Sequence, residues 1–241
     1  MFKIPELPSQ LQMNQDKIQK IVPENQSFMY EISRWGEPSL NMSSRDECKK
    51  ILAKFSGKIS RGDVISMAQN FFKKQTDEIL ASELFFSVML WGWSDQPIGV
   101  PRTDNIYLSN SSEHIAKSII QAAKHIQIGD IISAYSTWDV KYCKMAFMTK
   151  MFYFLGVASE QKPLPLILDA NVVSKLDRLG LDATNFASWT LDNKSNKYGV
   201  TADTKQSPSK YNNYVNMMNV WADQLSCRPD QLEMFIFTTN F

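Results

Sequence analysis

Cysteine and histidine are scarce in this chain of 241 residues. Its three cysteines, Cys48, Cys143 and Cys227, are an odd number, stand far apart and never fall in a C-x-x-C spacing. They therefore build no disulfide framework and do not suffice for a four-cysteine iron–sulfur cluster. Two histidines, His114 and His125, are too few for a histidine-based zinc site or catalytic relay, and both are expected as surface or boundary residues of one helix. No metal and no other cofactor is expected. Net charge is nearly absent too: 26 Lys and Arg against 25 Asp and Glu leave +1, which argues against a uniformly basic coat for nucleic acid but leaves room for a local patch. The N-terminus has no basic and apolar leader, and the most apolar run, LFFSVMLWGW at 84–93, is too short to span a bilayer. The expectation is a cytoplasmic protein with no membrane contact. Internal repeats, heptads and low-complexity tracts are missing and strand-like alternation is rare, which leaves helices.

What is present suits a packed helical fold. Hydrophobic residues at 44% and charged residues at 21% are ordinary for a globular protein, and the length allows a substantial core. Pro5, Pro8 and Pro23 among polar residues mark 1–26 as an irregular arm, ahead of a single helical domain over 27–241. Ser44-x-x-Glu47 reads as a capping box opening a helix to about Lys54. A second helix is predicted over 63–74, and the segment 77–91, apolar all round, is the candidate central helix. The glycine- and proline-bearing 92–109 follows as a loop. Ser112 is placed as the cap of a helix to 126, and 130–136 and 145–155 as two helices joined by a turn at 138–144. The polar segment 192–209 reads as an exposed excursion, and 211–225 and 229–237 as closing helices.

The stretch that carries chemistry is KYCKMAFMTKMFYFLGVASEQKPLPLILD, 141–169. A helix over 145–155 places Met148, Met151, Phe152 and Leu155 on one face and leaves Lys150 beside it, partly desolvated. Desolvation disfavours an ammonium and exposes a nucleophilic lone pair. Asp169 closes the apolar run PLPLIL ahead of the helical pattern NVVSKLDRL, where an aspartate reads first as an N-cap. The plainer alternatives are a lysine whose methylenes merely cover core residues and an aspartate that only caps.

Phe147, Thr149, Lys150, Tyr153 and Phe154, followed by Leu166, Ile167, Leu168, Asp169 and Val172, match a pattern similar to S-F-x-T-K-x-L-Y-F with L-I-L-D-x-x-V. Trp91, Gly92, Gly99, Pro101, Arg102 and Thr103 match a second motif, and Tyr211, Tyr214, Trp221, Ala222, Leu225, Asp230, Leu232, Glu233 and Phe235 a third near the C-terminus. On these residues the chain resembles the helix-hairpin-helix DNA glycosylases, in particular bacterial proteins with an 8-oxoguanine DNA glycosylase fold.

That resemblance implies an all-α fold of two helical lobes flanking a cleft, with the hairpin and catalytic segment at 130–178. It implies a monomeric, cofactor-free, bifunctional DNA N-glycosylase and AP lyase. Such an enzyme excises a modified purine such as 8-oxoguanine from duplex DNA after flipping the base. By the same resemblance Lys150 is the Schiff-base nucleophile and Asp169 its electrostatic partner. Trp91, Trp93 and Arg102 would meet the substrate, and Lys141 and Lys144 the DNA backbone. One departure stands out. The family's turn before the lysine helix is glycine-rich, whereas Tyr142 and Lys144 occupy those positions here. The alternative reading is a non-catalytic or repurposed nucleic-acid-binding relative in a bacterial nucleobase-handling system such as phage defence.

Overall fold

The computed structural model describes residues 2–74, 77–187, 189–192, 197–200 and 207–241, with side chains for all of these except 189–192, 197–200 and 207. The protein is mostly helical. In chain order the helices are α1 (Ser9–Gln12), α2 (Gln15–Gln19), α3 (Ile32–Trp35), α4 (Asp46–Phe55), α5 (Arg61–Lys73), α6 (Glu78–Trp93), α7 (Gly99–Ser109), α8 (Ser112–Gln127), α9 (Ile131–Ser136), α10 (Met145–Ala158), α11 (Ala170–Arg178), α12 (Ser207–Gln224) and α13 (Pro229–Thr238). Two antiparallel pairs complete the description: β1 (Ser27–Met29) with β2 (Lys58–Ser60), and β3 (Trp189–Asp192) with β4 (Lys197–Val200). No described helix is long and apolar enough to cross a membrane.

The core forms around α6. Asp77 caps it, its Oδ1 accepting from the amides of Ile79 and Leu80 at 2.9 and 3.0 Å, and every residue from Ala81 to Trp91 is buried. A helix apolar on all sides must be covered on all sides, and α4, α5, α8 and α10 pack against it. α10 repeats this character, buried without a break from Met148 to Gly156.

Several local expectations are corrected. The reading of 1–26 as irregular gives way to α1 and α2, which are too short to show helical periodicity. Leu11 and Ile18 are fully buried, and the side-chain amides of Gln15 and Gln19 donate to the carbonyl of Leu225 at 3.0 and 2.8 Å. The capping box at Ser44 does not form: Arg45 precedes α4 and no side chain caps it. A capping box does form between Ser60 and Asp63 at the start of α5. Ser111, not Ser112, caps α8 through the amide of His114. The segment 92–109 is mostly helix α7, because Pro101 falls in the first turn, where a missing amide costs nothing. The excursion at 192–209 lies largely outside the described residues, and α12 starts at Ser207.

Candidate active site

Lys150 sits in the middle of the buried run of α10, and its side chain is only 9% exposed. The sequence places it beside an apolar face, and packing against α5, α6 and α8 closes the rest. Its Nζ donates to two oxygens, the Ala146 carbonyl at 3.3 Å and Asp169 Oδ2 at 3.4 Å. Both contacts are long for hydrogen bonds of an amine nitrogen to oxygen.

Asp169 reaches this position at the end of a buried, non-sheet segment whose backbone polar groups all the same need partners. Side chains from two helices supply them. Tyr211 and Tyr214 hydroxyls donate to the carbonyls of Leu166 and Ile167 at 2.8 and 2.9 Å. Asn219 holds both the amide and the carbonyl of Leu164, and the amide of Leu168 donates to Thr149 Oγ1 at 3.1 Å. Thr149 precedes Lys150, so the bond to Leu168 ties the carboxylate segment to the amine's own helical turn. Gly156 permits the close approach, since a Cβ there would lie 2.5 Å from Pro165 Cδ. Asp169 then divides its oxygens. Oδ1 caps α11 through the amides of Asn171 and Val172 at 3.0 and 3.1 Å, while Oδ2 faces Lys150. Cap and charge partner are one carboxylate.

A column of rings leads outward from the amine. Lys150 Nζ lies 5.0 Å from the centre of the Phe147 ring, Phe147 stacks on Trp93 at 4.4 Å, and the guanidinium of exposed Arg102 lies 5.5 Å from the Trp93 ring. Gly92 makes room for it: a Cβ there would stand 2.6 Å from Phe147 and 2.9 Å from Lys150 Cδ. Gly99 does the same for Trp93, whose Cβ and Cγ would lie 2.5 Å away. The indole N–H of Trp93 is buried without an acceptor among the described residues. Trp91, expected alongside Trp93, belongs instead to the core. It is 3% exposed and packs against Phe28, Phe154 and Arg61. The helical period separates the two along α10, setting Trp91 against buried Phe154 and Trp93 against Phe147 beside Lys150.

A family model described as "Putative 8-oxoguanine DNA glycosylase OGG-like protein" matches residues 22–237. The chain belongs to this OGG-like family. No curated protein and no solved structure matches it.

In this OGG-like chain the turn between α9 and α10 is held by side chains. Asn110, buried, accepts from the Lys141 amide and donates to the Lys141 carbonyl, both at 3.1 Å. Trp138 Nε1 donates to the carbonyl of Cys143 at 3.1 Å. Lys141 and Lys144 are both exposed, and Lys144 is the N-cap position of α10, whose first turn no side chain caps. His114 and His125 share α8 and are partly exposed.

Further inside, Arg61 and Glu233 form a buried ion pair at 3.2 Å, with the guanidinium between the Trp91 and Tyr153 rings. Burial, against the pull of Arg61 and with the charge of Asp169 adding to it, pushes the Glu233 carboxyl up to about 7. Sequence reading named Glu233 only within a motif, because its partner lies 172 positions away. Two surface cavities, of about 420 and 290 Å³, are lined around Lys50 and Glu83 and around Tyr30 and Asp95; neither includes Lys150 or Asp169. Among the described residues no group of three or more His, Cys, Asp or Glu gathers as a metal site.

Proposed function

We propose that this protein is a DNA N-glycosylase with AP lyase activity, excising a modified purine such as 8-oxoguanine through Lys150. The observation that carries the proposal is the buried amine and carboxylate 3.4 Å apart in a chain of the OGG-like family. In the reaction the Nζ lone pair attacks C1′ of the damaged nucleotide, the bond from C1′ to the base breaks, and the base leaves with the electron pair and gains a proton. Loss of the amine proton and opening of the sugar at the C1′–O4′ bond give a Schiff base. Removal of a C2′ proton then expels the 3′ phosphate and nicks the strand.

Asp169 orients the amine and stabilises the positive charge that develops on the sugar as the base departs. Its position is fixed twice over, by the α11 amides and by Lys150, so little reorganisation is needed at the moment of reaction. The extruded base stacks in the column of Phe147 and Trp93, replacing part of the stacking lost from the duplex. Arg102, exposed at the outer end of the column, meets the strand.

The test is to incubate the protein with a duplex containing 8-oxoguanine and with borohydride, which reduces a Schiff base to a stable adduct. A covalent protein–DNA band is expected, and Lys150→Gln, which keeps chain length without an amine, abolishes it while the variant stays folded. Undiminished trapping in that variant overturns the assignment of Lys150. The second reading, a binding relative without chemistry, is favoured by the unusual hairpin turn at Tyr142; duplex binding with no adduct and no base release selects it.

A further inference from the structure

The hairpin turn holds a residue that the fold itself does not use. Tyr142 has φ of +65°, a left-handed backbone that disfavours any residue with a Cβ and that glycine adopts freely. The residue is 61% exposed, and its side chain makes no hydrogen bond or ring contact among the described residues. The backbone on either side is pinned. Asn110 holds both polar groups of Lys141, while Cys143 is buried, its amide bonded to Val140 and its carbonyl to Trp138. The turn therefore keeps its shape without the tyrosine ring, and glycine would relieve the strain. A bulky ring retained in a strained and exposed position points to a role outside the fold.

The surroundings identify the partner. Exposed Lys141 and Lys144 stand within two positions of Tyr142 in the same turn, so the turn offers an aromatic face and two cations, the combination that holds a strand by base stacking and phosphate neutralisation. Lys144 lies six positions before Lys150. At 1.5 Å per residue the helix rises about 9 Å between Lys144 and Lys150, so the turn opens the helix that carries the candidate nucleophile.

We propose that Tyr142 is a nucleic-acid contact: its ring stacks on an unstacked base of the strand that enters the site, beside the nucleotide presented to Lys150. In this hairpin side-chain stacking takes over a grip that glycine-rich turns leave to backbone amides. The proposal rests on the DNA reading of the site, and its test separates the two. Fluorescence anisotropy measures binding of the parent, Tyr142→Gly, Tyr142→Asn and Tyr142→Phe to a duplex with one unpaired nucleotide beside an abasic-site analogue, and to a fully paired duplex. Glycine and asparagine both tolerate a left-handed backbone, so these two variants melt at or above the parent's temperature.

Both are expected to bind the distorted duplex about tenfold more weakly, within the range of a single base–aromatic stack, and to be weakened less on the paired duplex. Tyr142→Phe, which keeps the ring, stays within about twofold, since the π-face sets the strength of the stack. Ring-less variants that bind as tightly as the parent overturn the inference, and so does a phenylalanine variant as weak as the glycine one, since the hydroxyl would then be the contact. A parent that traps on 8-oxoguanine DNA while the ring-less variants match it in affinity sinks only this inference. A parent that binds no oligonucleotide sinks the DNA reading as well.

Discussion

Gly92→Ala adds one methyl group at the place where α6 and α10 come closest to the candidate nucleophile. The new Cβ would stand 2.6 Å from Phe147 Cε1 and 2.9 Å from Lys150 Cδ, where carbon atoms in contact prefer about 3.5–4.0 Å. Something must retreat by about 1 Å. The Phe147 ring has little freedom, because Trp93 stacks on its far side at 4.4 Å and is itself pressed against Gly99. The lysine methylenes are the softer neighbour, so the amine is displaced from Asp169. Overpacking costs about 1–3 kcal/mol, and replacing glycine by alanine inside a helix returns about 1 kcal/mol. The net loss of about 0–2 kcal/mol lowers the melting temperature by at most about 8 °C in a chain of this size. Misplacing a reacting group by 1 Å costs about a hundredfold in rate. A folded protein with weak base release is therefore expected, measured by single-turnover excision and borohydride trapping alongside a thermal melt. Excision within about threefold of the parent would refute the idea that the glycine sets the position of the amine.

Asp169→Asn keeps an oxygen to cap α11 but loses the charge, so stability should change little while excision falls about a hundredfold to a thousandfold; Asp169→Ala loses the cap as well and should cost about 1 kcal/mol. Equal excision by Asp169→Asn and the parent would reduce the residue to a cap. Replacing Lys141 and Lys144 together by alanine should weaken binding to damaged and undamaged duplex alike and flatten the salt dependence by about 0.9 in log–log slope for each phosphate that is no longer neutralised; an unchanged slope would remove this turn from the interface. Glu233 binds its proton up to about 7 in the folded chain, against 4.5 for an ordinary glutamate. A raised folded value means that its contribution is fully present below about 4.5 and is lost as pH rises through about 7, a loss on the order of 3 kcal/mol. Chemical denaturation of Glu233→Gln across that window should show a shallower fall of stability with pH than the parent, and parallel curves would show that Glu233 does not titrate there.

Sequence alone determined what depends on neighbours within a few positions. The all-round apolar character of 77–91 announced a helix covered on every side, the cap at Asp169 was legible at its junction, and the helices on either side of the hairpin turn fell where the patterns placed them. The resemblance of 141–169 to a glycosylase family drew notice to Lys150 and Asp169, a pair that the fold brings to 3.4 Å. Tertiary structure decided where local signals met competitors from far along the chain. Ser44-x-x-Glu47 has the letters of a capping box, but Ser44 Oγ donates to the carbonyl of Asn41 at 2.8 Å and Glu47 accepts from Ser112 at 2.5 Å, so the residues that would close the box are engaged elsewhere. Gly92, Gly99 and Pro101 read as loop because such residues usually break helices. Here two of them are glycine because rings from α10 and α6 pass within van der Waals distance, a constraint that exists only once the helices have packed. The same holds for the segment leading to Asp169: its carbonyls find Tyr211 and Tyr214 some 45 positions away, and no local pattern can announce a hydrogen bond whose donor arrives with another helix.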